Sequence, residues 1–171
     1  MIDRVRTATA LVIMLLSAVS VAASTTGLLP VPALAARAEL VVVGQVVRMA
    51  SEWNARRTMI HTGIDLLVEE VLKGAPGAGD QVRFQIPGGR VGDAASAVAG
   101  TPSFAEQERV LVFLSRRPDG TLGLVDGYQG KFALEKDATT GAILAVRRAP
   151  GRRDPVDRIE LQDAKQAIRA R

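Results

Sequence analysis

Arg57–Gly74 reads RTMIHTGIDLLVEEVLKG. Ile60, Thr62, Ile64, Leu66 and Val68 take alternate positions, and Met59, His61, Gly63, Asp65 and Glu69 fall on the opposite parity. Successive side chains of a strand point to opposite faces, so this period of two predicts a long strand with one face on a core. Upstream, Glu39–Ser51 (ELVVVGQVVRMAS) is almost wholly apolar and β-branched as far as Val47, with one central glycine. Such a run predicts a strand buried on both faces, with Gly44 marking a bulge or bend. The polar stretch between the two, Glu52–Arg57 (EWNARR), reads as a hairpin connection, and Asn54 suits its turn.

Downstream, KGAPGAGD (Lys73–Asp80) is a turn cluster, and QVRFQI (Gln81–Ile86) repeats the alternation with Val82, Phe84 and Ile86 inward. The glycine-rich stretch IPGGRVGDAASAVAG (Ile86–Gly100) opens a long connection that lasts to about Glu108. RVLVFLSRR (Arg109–Arg117) predicts another strand and PDGT a tight turn. LGLVDG (Leu122–Gly127) is a short strand with KFALEKD (Lys131–Asp137) as its expected partner, and DATTG leads into ILAVRR (Ile143–Arg148). A short alanine-rich helix is expected from Val31 to Glu39. At the other end GRRDPVDR reads as solvated, and ELQDAKQAIRAR reads as a helix with Leu161, Ala164 and Ile168 on one side. Hairpin turns, a bent first strand and one long connection predict a mainly β domain over residues 31–148, a small closed barrel or a sandwich. Residues 149–171 follow as a basic tail with a short helix.

The first residues carry an address. Asp3, Arg4 and Arg6 precede an uncharged apolar run, Ala10–Ala23, which ends in the small-x-small pattern Val21-Ala22-Ala23. This is the layout of a secretory signal peptide over residues 1–23, cleaved after Ala23. Ala33-Leu34-Ala35 fits the cleavage pattern a second time. The run is shorter than the roughly 20 residues of a permanent span, so no stable membrane span is expected once it is cleaved. Retention as an anchor is the other outcome. The expected location is exported, periplasmic or secreted.

The chain has 171 residues, no cysteine and one histidine, His61. Thiol nucleophiles, cysteine-based zinc or iron–sulfur sites and histidine-rich metal sites are thereby excluded, and no cofactor is expected. Lysine and arginine number 22 against 18 acids, a net charge of +4. Removing residues 1–23 takes away Arg4, Arg6 and Asp3, which leaves 20 against 17, or +3. Arg147–Arg171 holds eight basic and four acidic residues, so Ser24–Val146 is about −1. The basicity belongs to the C-terminal segment, which reads as a solvated tail with contact to anionic envelope surfaces as the alternative, and not to a groove across the domain.

The ordered set ARAELVVVGQV, W-N, T-M-I-H-T, VEEVLKG, IPGG, GTPSFAEQERVLVFL and GYQGKF resembles a group of poorly characterised exported bacterial proteins, over roughly Leu34–Glu135. That group is similar in strand layout to the OB-fold of tissue inhibitors of metalloproteinases and netrin-like modules. The resemblance implies a small antiparallel OB-like β-barrel and, as a partner, an extracytoplasmic protein such as a secreted protease. Tissue inhibitors engage the catalytic zinc through an N-terminal cysteine. This chain has none, so that mechanism does not carry over.

Catalytic patterns are weak. Gly88, Gly89 and Gly92 lack the Lys-Ser/Thr of a phosphate loop, and Asp93 would repel a phosphate. His61 and Asp65 share a strand face but lie roughly 13 Å apart by the strand rise, and no elbow supports Ser115 as a nucleophile. Glu69 and Glu70 point to opposite faces, and Glu106 with Glu108 reads as solvated charge. Asp80, Asp93, Asp119 and Asp126 form no calcium-loop ladder. Phe84, Phe113 and Phe132 fall on apolar faces rather than along a positive groove, which argues against nucleic acid. The leading expectation is a non-catalytic module whose partner-binding residues are Trp53, Arg56, Arg57, Gly88, Gly89, Arg90 and Phe104. The alternatives are a secreted hydrolase around His61 and a purely structural envelope protein.

Overall fold

A computed structural model of the chain describes residues 27–77 and 79–170. The expected signal peptide and its cleavage site after Ala23 lie outside the described residues. The protein is mainly β with two helices. In chain order the elements are α1 (Val31–Arg37), β1 (Leu40–Trp53), β2 (Ile60–Lys73), β3 (Gln81–Pro87), β4 (Gly89–Val91), β5 (Ala94–Ser96), β6 (Arg109–Arg116), β7 (Leu122–Leu124), β8 (Lys131–Lys136), β9 (Ile143–Arg147), β10 (Asp157–Glu160) and α2 (Leu161–Arg169). No helix among the described residues is long and apolar enough to cross a membrane.

β1 and β2 form the long hairpin that the alternation predicts, with Trp53 opposite Ile60 and Met49 opposite Ile64. β3 continues the sheet beside β2, with Phe84 opposite Ile64. On its other edge the first half of β1 pairs with β6, Leu40 opposite Leu114 through Gln45 opposite Arg109. β7 joins β6 antiparallel and touches β3 through one parallel pair, Gln85 with Gly123. The pairings therefore run β1–β2–β3–β7–β6 and return to β1. Val42, Val46, Ile64, Leu66, Phe84, Val112 and Leu114 fill the space they enclose.

The two-faced burial of the first half of β1 follows from a second apolar layer. Val41 and Val43 face away from the enclosed core and pack with Leu111, Phe113, Phe132 and both helices. Leu34 and Ala35 of α1 are buried there, and Lys73 closes the end of that helix by donating to the carbonyls of Ala35 and Ala38 at 2.7 Å each. Gly44 sits at a register shift between β1 and β2, where a Cβ would lie 2.4 Å from the Leu67 carbonyl oxygen. A glycine is the residue that fits.

Two expectations change. β8 is not the partner of β7: both lie along the same edge of β6, Leu124 opposite Leu114 and Phe132 opposite Leu111. The chain leaves that edge at Asp126 and Gly127 (φ 49° and 61°), makes a 3₁₀ turn at Gly127–Gly130 and comes back to it. A hairpin partner would have required a reversal, and this excursion supplies none. The partner of β8 is β9. Residues 157–169, read as part of a basic tail, also belong to the domain. β10 pairs with β9, and Leu161, Ala164 and Ile168 of α2 are buried beside α1, the three positions expected to share a helix face.

Ion pairs tie the layers. Arg109 donates to Glu69 across β6 and β2, and Arg148 to Glu135 across β9 and β8. Hydrogen bonds from these guanidiniums hold both carboxyls below the ordinary 4.5. A folded-state value below the unfolded one means the unfolded chain binds protons first as pH falls, so this stability is present above about pH 4.5 and is lost below it. Both carboxylates keep water contact, which limits each pair to about 0.5 kcal/mol. Urea unfolding is therefore expected to weaken from pH 4.5 downward, with a smaller decline in a Glu69→Gln/Glu135→Gln variant. An equal decline in that variant would place the acid sensitivity elsewhere.

Candidate functional site

The inward row of β2 contains a hydroxyl among aliphatic side chains. Thr62 is buried, and a buried hydroxyl needs partners. It donates to the Gly88 carbonyl at 2.8 Å, which leaves Ser51 of β1 to donate to it at 2.9 Å. The Gly88 amide donates in turn to the Ile60 carbonyl at 2.8 Å. The long connection therefore starts bolted to the inner face of the β1–β2 hairpin. Gly89 lies flat on that bolt with φ 137°, and a Cβ there would stand 2.4 Å from both hydroxyl oxygens.

The connection then folds on itself. β4 and β5 form a small antiparallel hairpin across a Gly92-Asp93 turn, within the stretch that the sequence marked only as a long connection. The chain returns past Gly100, whose carbonyl accepts from the Tyr128 amide at 2.9 Å, to Phe104. Phe104 packs edge-to-face on Phe84 with centroids 5.5 Å apart, and the Lys131 ammonium lies 4.3 Å from its ring centroid. Lys131 also donates to the Ser103 carbonyl and to both oxygens of Glu108, at 2.7 and 2.9 Å. Burial pushes its ammonium below the ordinary lysine range, and Glu108 pulls the other way. Lys131 is the clamp at the far end of the connection.

Between the hairpin floor and this connection lies a cleft of about 370 Å³. Met49, Ile86, Val98 and Phe104 give it apolar walls, and Thr62, Ser96, Thr101 and Ser103 are the hydroxyl-bearing residues among them. A concave apolar surface with a few fixed polar groups suits a ligand or an inserted side chain. Of the residues expected at a contact surface, Gly88, Gly89 and Phe104 meet in these walls. Trp53 sits half-buried at the end of β1, Arg56 and Arg57 are exposed in the β1–β2 turn, and Arg90 is exposed on β4. Ser51, Thr62 and Lys131 escaped the sequence reading. Thr62 left a signal, since a hydroxyl in an inward row demands a buried acceptor. Lys131 left none, because its acceptors lie at least 23 residues away in the chain.

Several of the acids and bases weighed as catalysts have charged partners. His61 Nε2 lies 3.2 Å from a Glu52 oxygen, and Asp65 is 3.4 Å from Arg83. Ser115 stands opposite Gly123, Glu70 pairs with Lys165 and Arg169, and Glu108 with Lys131. No group of three acids or histidines able to hold a metal occurs among the described residues. No family model, no curated protein and no solved structure matches the chain.

Proposed function

We propose that this protein is an exported, non-catalytic OB-like β-barrel module that binds an extracytoplasmic protein through the end carrying the cleft. The barrel is supported by the circuit β1–β2–β3–β7–β6–β1, with one parallel pair between β3 and β7. Greek-key barrels of this small type fill their interior with side chains and leave rims and loops to bind. Export rests on the charged start, the apolar run Ala10–Ala23 and the small residues before Ser24. A secreted protease as partner rests on the resemblance in strand layout alone.

The observation that carries the binding role is the cleft itself. Its floor is fixed by the Ser51–Thr62–Gly88 hydrogen bonds and its far end by Lys131, while residues 92–100 between them are mostly exposed. A rigid frame holding a solvated segment is how binding loops are presented.

Affinity capture tests this with residues 24–171 as bait against the native host's envelope and culture fractions, beside a bait lacking Gly92–Gly100. A partner lost with the deletion is the expected result. A partner that survives the deletion removes the connection from the contact, and the absence of any partner overturns the binding role. A His61→Ala bait should capture equally well; a hydrolytic activity lost with that substitution would overturn the non-catalytic reading.

A further inference from the structure

β1 has two neighbours along its first half and one along its second. β6 occupies its outer edge from Leu40 to Gln45. Gln107 and Glu108 extend that line by one step, through Val46 N–H to the Glu108 carbonyl and Gln107 N–H to the Val46 carbonyl. The chain arrives there from a turn, with Gln107 at φ 67° and Glu108 N–H on the Ala105 carbonyl, so nothing precedes it in the same lane. Beyond Val46 the strand pairs with β2 alone.

The register shows which main-chain groups this leaves free. Hydrogen-bonded and non-hydrogen-bonded pairs alternate along an antiparallel ladder. Asn54 N–H on the Met59 carbonyl closes the hairpin, so Glu52/His61, Ala50/Gly63 and Arg48/Asp65 are the bonded pairs. The amides and carbonyls of Met49, Ser51 and Trp53 therefore point away from β2, and none has a main-chain partner among the described residues. Ile60, opposite Trp53, confirms the parity, because its carbonyl turns outward to Gly88. A free edge of five residues, about 17 Å long, is a template for one more strand.

Charge identifies what fits it. Arg48, Arg56, Arg57 and Arg90 are exposed on the hairpin and on β4, which packs against it, and none has a carboxylate within 4 Å among the described residues. Against them stand Glu52, which pairs with His61, Asp93 at the β4–β5 tip, and Glu106. Two copies meeting edge to edge would set arginine against arginine, which disfavours a second copy. On the cleft side the edge is flanked by Met49 and by Val98, 39% exposed.

We propose that the Met49–Trp53 edge receives an extended acidic segment of a partner protein as an added strand. Main-chain bonds to Met49, Ser51 and Trp53 give the affinity. Acidic side chains on the outer face meet Arg48, and apolar ones on the alternate parity turn toward the cleft. The proposal names the mode and chemistry of the protein binding proposed above and rests on that reading.

The test pans a display library of random twelve-residue peptides against residues 24–171, then titrates the most enriched synthetic peptide while amide hydrogen exchange is followed. Enriched sequences should alternate acidic and apolar residues. The amides of Met49, Ser51 and Trp53 should exchange rapidly in the free protein and slow at least tenfold on binding. Methylating alternate peptide nitrogens, which leaves the protein untouched, should abolish binding, and an Arg48→Glu/Arg56→Glu variant with an unchanged melting temperature should weaken it about tenfold. Enrichment without acids, protection confined to residues 96–104, indifference to methylation, or no enrichment at all would each overturn the proposal. A protein captured in the preceding experiment would still stand in any of those cases, which separates this failure from failure of the binding role.

Discussion

Replacing Asp157 by alanine is expected to cost about 3 kcal/mol of folding stability, although it lies in a segment whose sequence reads as solvated. Its partner, Arg147, is the largest fully buried side chain among the described residues, 1% exposed. One guanidinium nitrogen donates to the Leu29 carbonyl at 2.8 Å, the other donates to Asp157, and the group lies 4.8 Å over the Phe132 ring. Its Nε has no hydrogen-bond partner among the described residues. Taking away the single carboxylate strands a buried cation, which costs about 3–5 kcal/mol, and the lower end applies because Asp157 is 34% exposed and water can relax there. The partner substitution sharpens the test. Arg147→Met removes the charge itself, so the Arg147→Met/Asp157→Ala double variant should be more stable than Asp157→Ala alone. Urea denaturation of the three variants measures this. A cost below about 1 kcal/mol for Asp157→Ala would mean that the pair does not hold β10 and the Leu29 segment to the body.

That arginine also shows where the sequence stopped being legible. Ile143, Ala145 and Arg147 share one parity and Leu144, Val146 and Arg148 the other, so one arginine of the pair had to follow the inward row. The sequence does not say that Leu29, 118 positions earlier, and Asp157 would both be there to receive it. A continuous apolar run was enough for β1 and alternation for β2 and β3, and Gly44 was legible because a glycine inside an apolar run leaves few structural alternatives. The shared edge of β7 and β8 was not, since three residues of strand carry no pairing preference that outweighs tertiary contacts. In the candidate site, Gly88 and Gly89 were found because glycine clusters announce unusual backbone, whereas the free edge of β1 exists only through what fails to pair with it.

Gly89→Ala is expected to cost about 2–4 kcal/mol and to change the cleft, while Gly92→Ala, three residues on, should cost about 1 kcal/mol and leave it intact. Both glycines have positive φ, 137° and 57°, and an alanine is strained at either. The surroundings differ. At Gly92 a Cβ meets nothing within 4 Å, so backbone strain is the whole effect. At Gly89 it would stand 2.4 Å from Ser51 Oγ and from Thr62 Oγ1, and 3.0 Å from Ser51 Cβ, and these side chains are short and held by each other. Either the connection lifts from the hairpin or the hydroxyls separate. The first breaks the Thr62 bond to Gly88 and the second the Ser51 bond to Thr62, and a lost partner in this buried cluster adds about 1–3 kcal/mol to the strain. Amide exchange distinguishes this from general destabilisation. Gly88 N–H, bonded to the Ile60 carbonyl, should lose protection in Gly89→Ala, and Val125 N–H, bonded to the Phe113 carbonyl across the other core layer, should not. If a double Ser51→Ala/Thr62→Ala background fails to relieve part of the Gly89→Ala cost, the clash is not its cause. If it does, the cleft depends on two hydroxyls and one absent side chain, and the free edge of β1 can be examined with the connection lifted and its strand pairing unchanged.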